Sequence, residues 1–293
     1  MASILEVICP TDVDGVLSVL GESDRNPRVV AGGTDLLLQY QHWSGPDVTI
    51  VDITGVRSLS EIIEEDGGLR IGATVRLSDI IGSAQVAHHF PVLIEGAVVV
   101  AGPQIRNLAT IGGNVCNASP SADTVAPLLV LDAVVRLLSG SGKRSVPLCE
   151  FFAAPGQTVL EPGELLESIW IPLSSPKTKA SYTKLSPRRA MDLAVVGVAV
   201  ALWREDSSLR TRIGLGAVAP TPLRAFSAED VVNGAGGMDS VLAEEAGQEA
   251  AADASPISDV RGSARYRAAM VERLVARSLQ DLGGRLKNGN VGE

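Results

Sequence analysis

Val30-Ala31-Gly32-Gly33-Thr34-Asp35-Leu36 and, about 80 residues further on, Thr110-Ile111-Gly112-Gly113-Asn114 are the two stretches whose reading decides the fold. In the first, a strand-like run meets two glycines, and a Thr/Asp pair then opens a helix. Glycine admits positive φ and brings no Cβ between backbone and ligand. Successive N–H groups at a helix start form a ready site for an anion. Alone, this stretch reads equally well as a tight turn with a Thr or Asp cap. The second stretch repeats the pattern after an apolar residue. Asn117, Ser119-Pro120 and Asp123 follow it, short hydrogen-bonding side chains ahead of a helix. Two such turns can hold both phosphates of a dinucleotide between two subdomains. Thr34, Thr110 and Asn114 add side-chain donors, and Asp123 can accept from ribose or adenine groups. Neither stretch contains Lys or Arg, so neutral donors would carry the diphosphate.

A third motif, Gly214-Leu215-Gly216-Ala217-Val218-Ala219, fits the G-x-G-x-x-A dinucleotide fingerprint. That fingerprint requires a helix to begin at the loop. Pro220 and Pro222 follow at once, and proline inside a helix costs about 3 kcal/mol. These glycines are therefore expected to mark a strand end and bend.

Working outward, the 293 residues are 45% hydrophobic and 20% charged, enough apolar material for one large core or two smaller ones. A net charge of −9 repels phosphate backbones and anionic lipid, which sets nucleic-acid and membrane-surface binding aside. The longest apolar stretch, 193–203, is about half of a bilayer span. With no signal peptide at the N-terminus, the expectation is a soluble cytoplasmic protein. Cys9, Cys116 and Cys149 have neither disulfide nor metal-cluster spacing and are expected to be reduced and buried. His42, His88 and His89 show no ligand spacing and are expected at the surface. No Gly-x-Ser-x-Gly elbow supports hydrolysis.

Spacing predicts helices over 12–20, 35–40, 91–100, 123–131 and 262–282, the last with Tyr266, Met270, Leu274, Val275 and Leu279 on one side. Ser78 or Asp79 is expected to cap a short helix. Strands are expected at 28–31, 48–53, 69–73, 194–203 and 209–218, with 134–138 and 143–146 forming a hairpin and 169–172 closing this portion. The polar segment 174–179 reads as a linker, and the Ala/Glu/Gly-rich segment 234–255 as exposed. The resulting class is α+β.

Both glycine stretches resemble those of the FAD-binding medium subunit of the xanthine dehydrogenase and carbon monoxide dehydrogenase family, the molybdenum hydroxylases. The likeness covers nearly the whole chain. Val30 to Leu36 is similar to the first flavin loop, in the Thr-Asp form of the xanthine dehydrogenase side. Ala101-Gly102 and Gln104-Ile105-Arg106-Asn107 lead into Thr110 to Asn114, then Asn117 to Pro120 and Asp123, in the family's order and spacing. Glu164-Leu165-Leu166 with Ser168-Ile169 and Ile171-Pro172 resembles the end of the flavin domain. Lys184, Arg188-Arg189, Asp192 to Ala194, Gly216 to Pro222 and Tyr266-Arg267 resemble its C-terminal domain.

The resemblance implies a two-subdomain FAD-binding fold of the vanillyl-alcohol-oxidase-like type over residues 1–175, with subdomains of about 1–56 and 57–175. A C-terminal α+β domain, a sheet with helices, would occupy 178–286, and 287–293 would be a tail. FAD would bind non-covalently. Its site would comprise Val29, Val30, Ala31, Gly32, Gly33, Thr34, Asp35 and Leu36 from the first loop. Ala101, Gly102, Thr110, Ile111, Gly112, Gly113, Asn114 and Asn117 would come from the second region. Asp123 would contact the adenosine portion, and Leu166 and Lys184 would lie near the flavin. No catalytic acid, base or metal ligand is implied in this chain. Substrate would be hydroxylated at a molybdopterin centre in a large subunit. Electrons would cross two two-iron two-sulfur clusters in a small subunit, reach FAD here, and pass to NAD, a quinone or another acceptor. The expected assembly is a dimer of heterotrimers with no membrane span. Leu193 departs from the carbon monoxide dehydrogenase branch, which places an aromatic residue there against the isoalloxazine. Arg188-Arg189 reads either as a pair at the flavin's pyrimidine edge or as a solvated loop pair. A stand-alone FAD oxidoreductase and a non-catalytic FAD-binding module remain as alternatives.

Overall fold

A computed structural model describes residues 4–40, 45–173, 178–188 and 191–288. His42, Arg189 and most of the expected linker lie outside the described residues. The chain forms two compact units, each assembled from separate stretches: 1–82, 102–118 and 133–172 in the first, and 83–101, 119–132 and 173–293 in the second.

The first unit opens with β1 (Ile4–Ile8), a helix over Val13–Leu20, β2 (Pro27–Val30), a short helix over Leu36–Tyr40 and β3 (Val48–Asp52). The Asp12 carboxylate caps the first helix by accepting from the Gly15 amide at 2.8 Å. The three strands pair in parallel in the order β1-β3-β2, the arrangement that helical crossovers permit. Val16, Leu20, Val51, Ile53, Val56, Leu59 and Leu165 pack into one apolar cluster. The same unit holds β4 (Ile62–Glu65), β5 (Gly68–Gly72), β6 (Val134–Ser139), β7 (Gly142–Pro147) and β10 (Leu165–Pro172), paired antiparallel in the order β4-β5-β10-β6-β7. A small hairpin, β8 (Phe152–Ala154) and β9 (Gln157–Thr158), precedes the last of these. A helix over Leu77–Gly82 follows β5, but Ser78 and Asp79 lie inside it rather than at its cap, because Leu77 already takes a helical, buried place.

The second unit is built on the antiparallel sheet β11 (Lys179–Leu185), β12 (Val196–Glu205), β13 (Ser208–Gly216) and β14 (Leu223–Arg224), in that order. Side chains alternate between sheet faces. Val196, Val198, Val200 and Leu202 of β12 join the core formed with the helices Phe226–Val232, Ser240–Asp253 and Ala264–Asn288. Ala199 and Ala201 turn the other way and meet Ala126 and Val130 of the helix Val125–Val130. Burial on both faces explains why β12 is apolar without alternation.

Two expectations fail in this unit. The segment 234–255 is not an exposed stretch: Ser240–Asp253 is a helix whose Ala243, Ala246, Gly247 and Ala250 are buried. A Cβ on Gly247 would lie 2.4 Å from the Glu272 carbonyl oxygen, so only small residues let this helix meet the last one. In the last helix Tyr266 is exposed, and Val271, Val275, Leu279 and Leu282 fill the core beside partly buried Met270 and Leu274. Gly214 and Gly216 end a strand, as the prolines require. A Cβ on Gly214 would lie 2.6 Å from the Ala126 carbonyl oxygen, so this glycine serves helix-to-sheet packing and not a nucleotide.

Candidate functional site

Gly32 and Gly33 of the first pair and Gly113 of the second line one cleft of about 340 Å³ in the first unit, within the range of roughly 300–1,000 Å³ common for small-molecule sites. Val29, Val30, Ala31, Gly32, Gly33, Thr34, Asp35 and Leu36 all line it, as do Thr110, Gly113, Asn114 and Asn117. Every lining residue belongs to this unit.

The two pairs divide their work in the same way. In each, the first glycine packs backbone on backbone. A Cβ on Gly32 would lie 2.1 Å from the Leu108 carbonyl oxygen, and one on Gly112 would lie 2.6 Å from that of Ala73. The second glycine faces the cleft. Gly33 has φ +68, which an L side chain resists, and Gly113 lines the opposite wall. Ile111 and Gly112 are fully buried and do not line the cleft; they set the position of the residues that do.

The second pair does not form a loop. It is the first turn of a helix, Ile111–Cys116, capped by Thr110. Its amides are already committed: Ile111 donates to Val75, Gly112 to Ala73, Gly113 to Thr110 Oγ1 and Asn114 to the Thr110 carbonyl, at 2.9–3.1 Å. The expected row of outward N–H donors is therefore absent here, and the polar groups offered by this wall are the side chains of Thr110, Asn114 and Asn117. The Thr110 hydroxyl, having accepted from Gly113, still has its own proton to donate. On the other wall, the amides of Gly32, Gly33, Thr34 and Asp35 find no acceptor among the described residues. Glycine N–H groups on one side and neutral side-chain donors on the other suit a diphosphate. Among the described residues no lysine or arginine lines the cleft, and the one carboxylate is that of Asp35.

Gln39, Ala109, Cys116 and Gly156 also line the cleft. Gln39 lies one helical turn beyond Leu36, and Cys116 one turn beyond Gly113, so helical spacing carried a signal for both. Gly156 comes from the β8–β9 turn, with φ +71 and its amide donating to Ala118 at 3.0 Å; nothing in its sequence surroundings signalled this. None of the three cysteines is in a disulfide, but burial holds only for Cys116, and partly; Cys9 and Cys149 are exposed. Cys9 follows the end of β1, and Cys149 lies in the single 3-10 turn Leu148–Glu150, whose buried residue is Leu148. Burial pushes the Cys116 thiol up to about 12.

The remaining expected residues lie elsewhere. Leu166 is buried in β10, and Gly102 is the N-cap of the helix Pro103–Arg106. Ala101, in the second unit, has φ +40. Asp123 and Lys184 also belong to the second unit, where each is the other's partner: Lys184 Nζ donates to Asp123 Oδ2 at 2.8 Å and to the Val99 carbonyl at 3.1 Å. Tyr182 donates its hydroxyl to Asp123 Oδ1 at 2.8 Å. Tyr182 and Lys184 stand two apart on β11 and so share a face, a relation the strand period made readable. Burial raises the Asp123 carboxyl above the ordinary range, against the lowering pull of Lys184 and Tyr182. Burial first, and then the Asp123 charge, push the Tyr182 phenol well up. Leu193 is exposed, and Arg188 pairs with Asp192 at 3.1 Å in an exposed turn. Among the described residues no group of His, Cys, Asp and Glu is arranged to hold a metal ion, and no helix is long and apolar enough to cross a membrane.

Residues 3–174 match the family of FAD binding domains in molybdopterin dehydrogenase, and residues 181–282 match the carbon monoxide dehydrogenase flavoprotein C-terminal domain. The chain is 34% identical over 268 residues to a xanthine dehydrogenase FAD-binding subunit of Escherichia coli, covering 89% of this chain and 91% of that one. It is 33% identical over 280 residues to the carbon monoxide dehydrogenase medium chain of Hydrogenophaga pseudoflava, covering 94% and 95%. The solved structure of carbon monoxide dehydrogenase from Hydrogenophaga pseudoflava, in a form lacking the Mo-pyranopterin moiety, superposes with a TM-score of 0.91 at 31% identity, covering 98% of this chain and 99% of that one.

Proposed function

The chain belongs to the family of FAD-binding medium subunits of molybdenum hydroxylases, and from that premise we propose that the glycine-lined cleft of the first unit is where it holds the diphosphate of FAD. The observation that carries this reading is the donor set. The amides of Gly32, Gly33, Thr34 and Asp35, which no described acceptor takes, and the side chains of Thr110, Asn114 and Asn117 line one cleft that has no lysine or arginine among the described residues. Such a site suits a ligand whose charge is spread over a diphosphate and whose sugar and ribityl hydroxyls can donate to Asp35. Val29, Val30, Ala31 and Leu36 form the apolar side of the same wall. Ile111 and Gly112, bonded to Val75 and Ala73, hold Thr110, Gly113 and Asn114 of the opposite wall in place. Ala101, Gly102, Asp123, Leu166 and Lys184 enter the proposed site on the resemblance alone, Asp123 toward adenosine and Leu166 and Lys184 toward the flavin.

In this reading residues 1–175 form the FAD-binding domain and 178–286 the C-terminal domain. A bound flavin would supply redox chemistry between iron–sulfur clusters of a small subunit and an external acceptor. A large subunit with the molybdopterin centre would hydroxylate the substrate, and two heterotrimers would pair in the cytoplasm. This chain's residues bind and orient. The Cys116 thiol, its pKa raised to about 12, stays protonated at neutral pH and supplies no nucleophile to the cleft.

The test is the full chain expressed with its neighbouring subunits. The complex should be yellow, release FAD rather than FMN on denaturation, and contain iron and molybdenum in its other subunits. A colourless chain that takes up no added FAD overturns the proposal.

A further inference from the structure

We infer that Gln39 is a positioning residue of this site, holding the Asn117 carboxamide so that its nitrogen is presented to the anionic part of the cofactor. The inference rests on the FAD reading above. Gln39 Nε2 donates to Asn117 Oδ1 at 3.3 Å, and both residues line the cleft. Gln39 comes from the helix Leu36–Tyr40 that follows the first glycine pair. Asn117 is the C-cap of the helix that contains the second. The two walls therefore touch at Gly32 against Leu108, and are bridged a second time by this amide pair.

A carboxamide offers oxygen on one side and NH2 on the other, and a half-turn exchanges them. A diphosphate needs the NH2 of Asn117. That orientation directs Oδ1 away from the ligand, where it requires a donor, and Gln39 provides one. An acceptor at position 39 would demand the opposite orientation and would aim Oδ1 at the phosphates. Gln39 is exposed, so water competes for this bond in the free protein and the bond adds little to the fold. Its effect is expected when the ligand covers it.

The test titrates FAD into the flavin-free full chain, read by flavin fluorescence, alongside thermal melting of the free protein. Gln39→Met should weaken FAD binding roughly 3- to 10-fold, the range of one hydrogen bond, and leave the melting temperature unchanged. In an Asn117→Ala background the same change should have no further effect. Gln39→Glu should bind more weakly than Gln39→Met at pH 7. Its binding should recover as the pH falls toward 5, because a protonated carboxyl can again donate to Oδ1. Gln39→Glu with Asn117→Ala measures charge repulsion alone and should recover less. Wild-type affinity in Gln39→Met, an effect that persists without Asn117, or equal recovery of the two Glu variants overturns the inference. A wild-type chain that binds no FAD overturns the proposed function instead.

Discussion

Lys184→Met leaves the Asp123 carboxylate buried with the Tyr182 hydroxyl as its remaining side-chain partner. The Asp123 and Lys184 side chains are 8% and 9% exposed, so solvent screens neither and cannot replace the ammonium. Removing one partner of such a pair costs about 3–5 kcal/mol, most of it the desolvation of the charge left behind. The loss must depend on pH, and its sign follows from Asp123. Its folded pKa already lies above the unfolded value near 3.8 and rises further without Lys184. A carboxyl shifted upward contributes stability below its unfolded pKa and loses that contribution as the pH rises through the folded one. Lys184→Met should therefore be least stable relative to wild type at pH 7 and regain part of the difference as the pH falls toward 5. Urea unfolding of the full chain at several pH values measures this, and Asp123→Asn in the Lys184→Met background should restore stability at pH 7. A loss under about 1 kcal/mol at pH 7, or one that does not change with pH, refutes the argument that the pair is buried and coupled.

Three further outcomes are expected. Gly32→Ala, whose Cβ would lie 2.1 Å from a carbonyl oxygen, should destabilise by about 1–3 kcal/mol and abolish FAD uptake. Gly140→Ala, with open space around it, should stay within about 0.5 kcal/mol of wild type by urea melts. Thr110→Val removes the cap on the Gly113 amide and the cleft hydroxyl together, costing about 1 kcal/mol and weakening FAD binding; Thr110→Ser should recover both in the same melts and titrations. Iodoacetamide at pH 8 should label exposed Cys9 and Cys149 and spare Cys116 until the chain unfolds, as peptide mass spectrometry would read; equal labelling of all three contradicts the placement of Cys116.

Much of the fold was legible because it follows from local chemistry. Asp12, Pro91 and the proline pair 220/222 each act within a few residues, and each set an element boundary where expected. Both glycine pairs were readable as backbone constraints. What they constrain was not, because Leu108 and Ala73 are brought against them by the tertiary fold. The same applies to the amides of the second pair, whose acceptors Val75 and Ala73 lie on a segment that pattern alone cannot place. The Ser240–Asp253 helix was obscured for another reason: its buried stripe is alanine and glycine, which composition counts as weakly apolar and which bury well only against a close partner. Asp123 and Lys184 were singled out separately, and only the fold reveals that they neutralise one another.

The interleaving of the two units carries a consequence for how the protein is made. The helix Val125–Val130 belongs to the second unit, and Ala126 and Val130 pack on Ala199 and Ala201 of β12. Those partners leave the ribosome roughly 70 residues later, several seconds behind at about 5–20 residues per second. During that interval the helix can pack on Pro91–Val98, against which Gly96 meets Pro127, but the face that β12 will cover stays open. The second unit cannot assemble until β12 and β13 have been synthesised, and an N-terminal fragment ending near residue 173 would hold this surface open permanently. Poor solubility of that fragment, set against the full chain, is the outcome this order of synthesis leads one to expect.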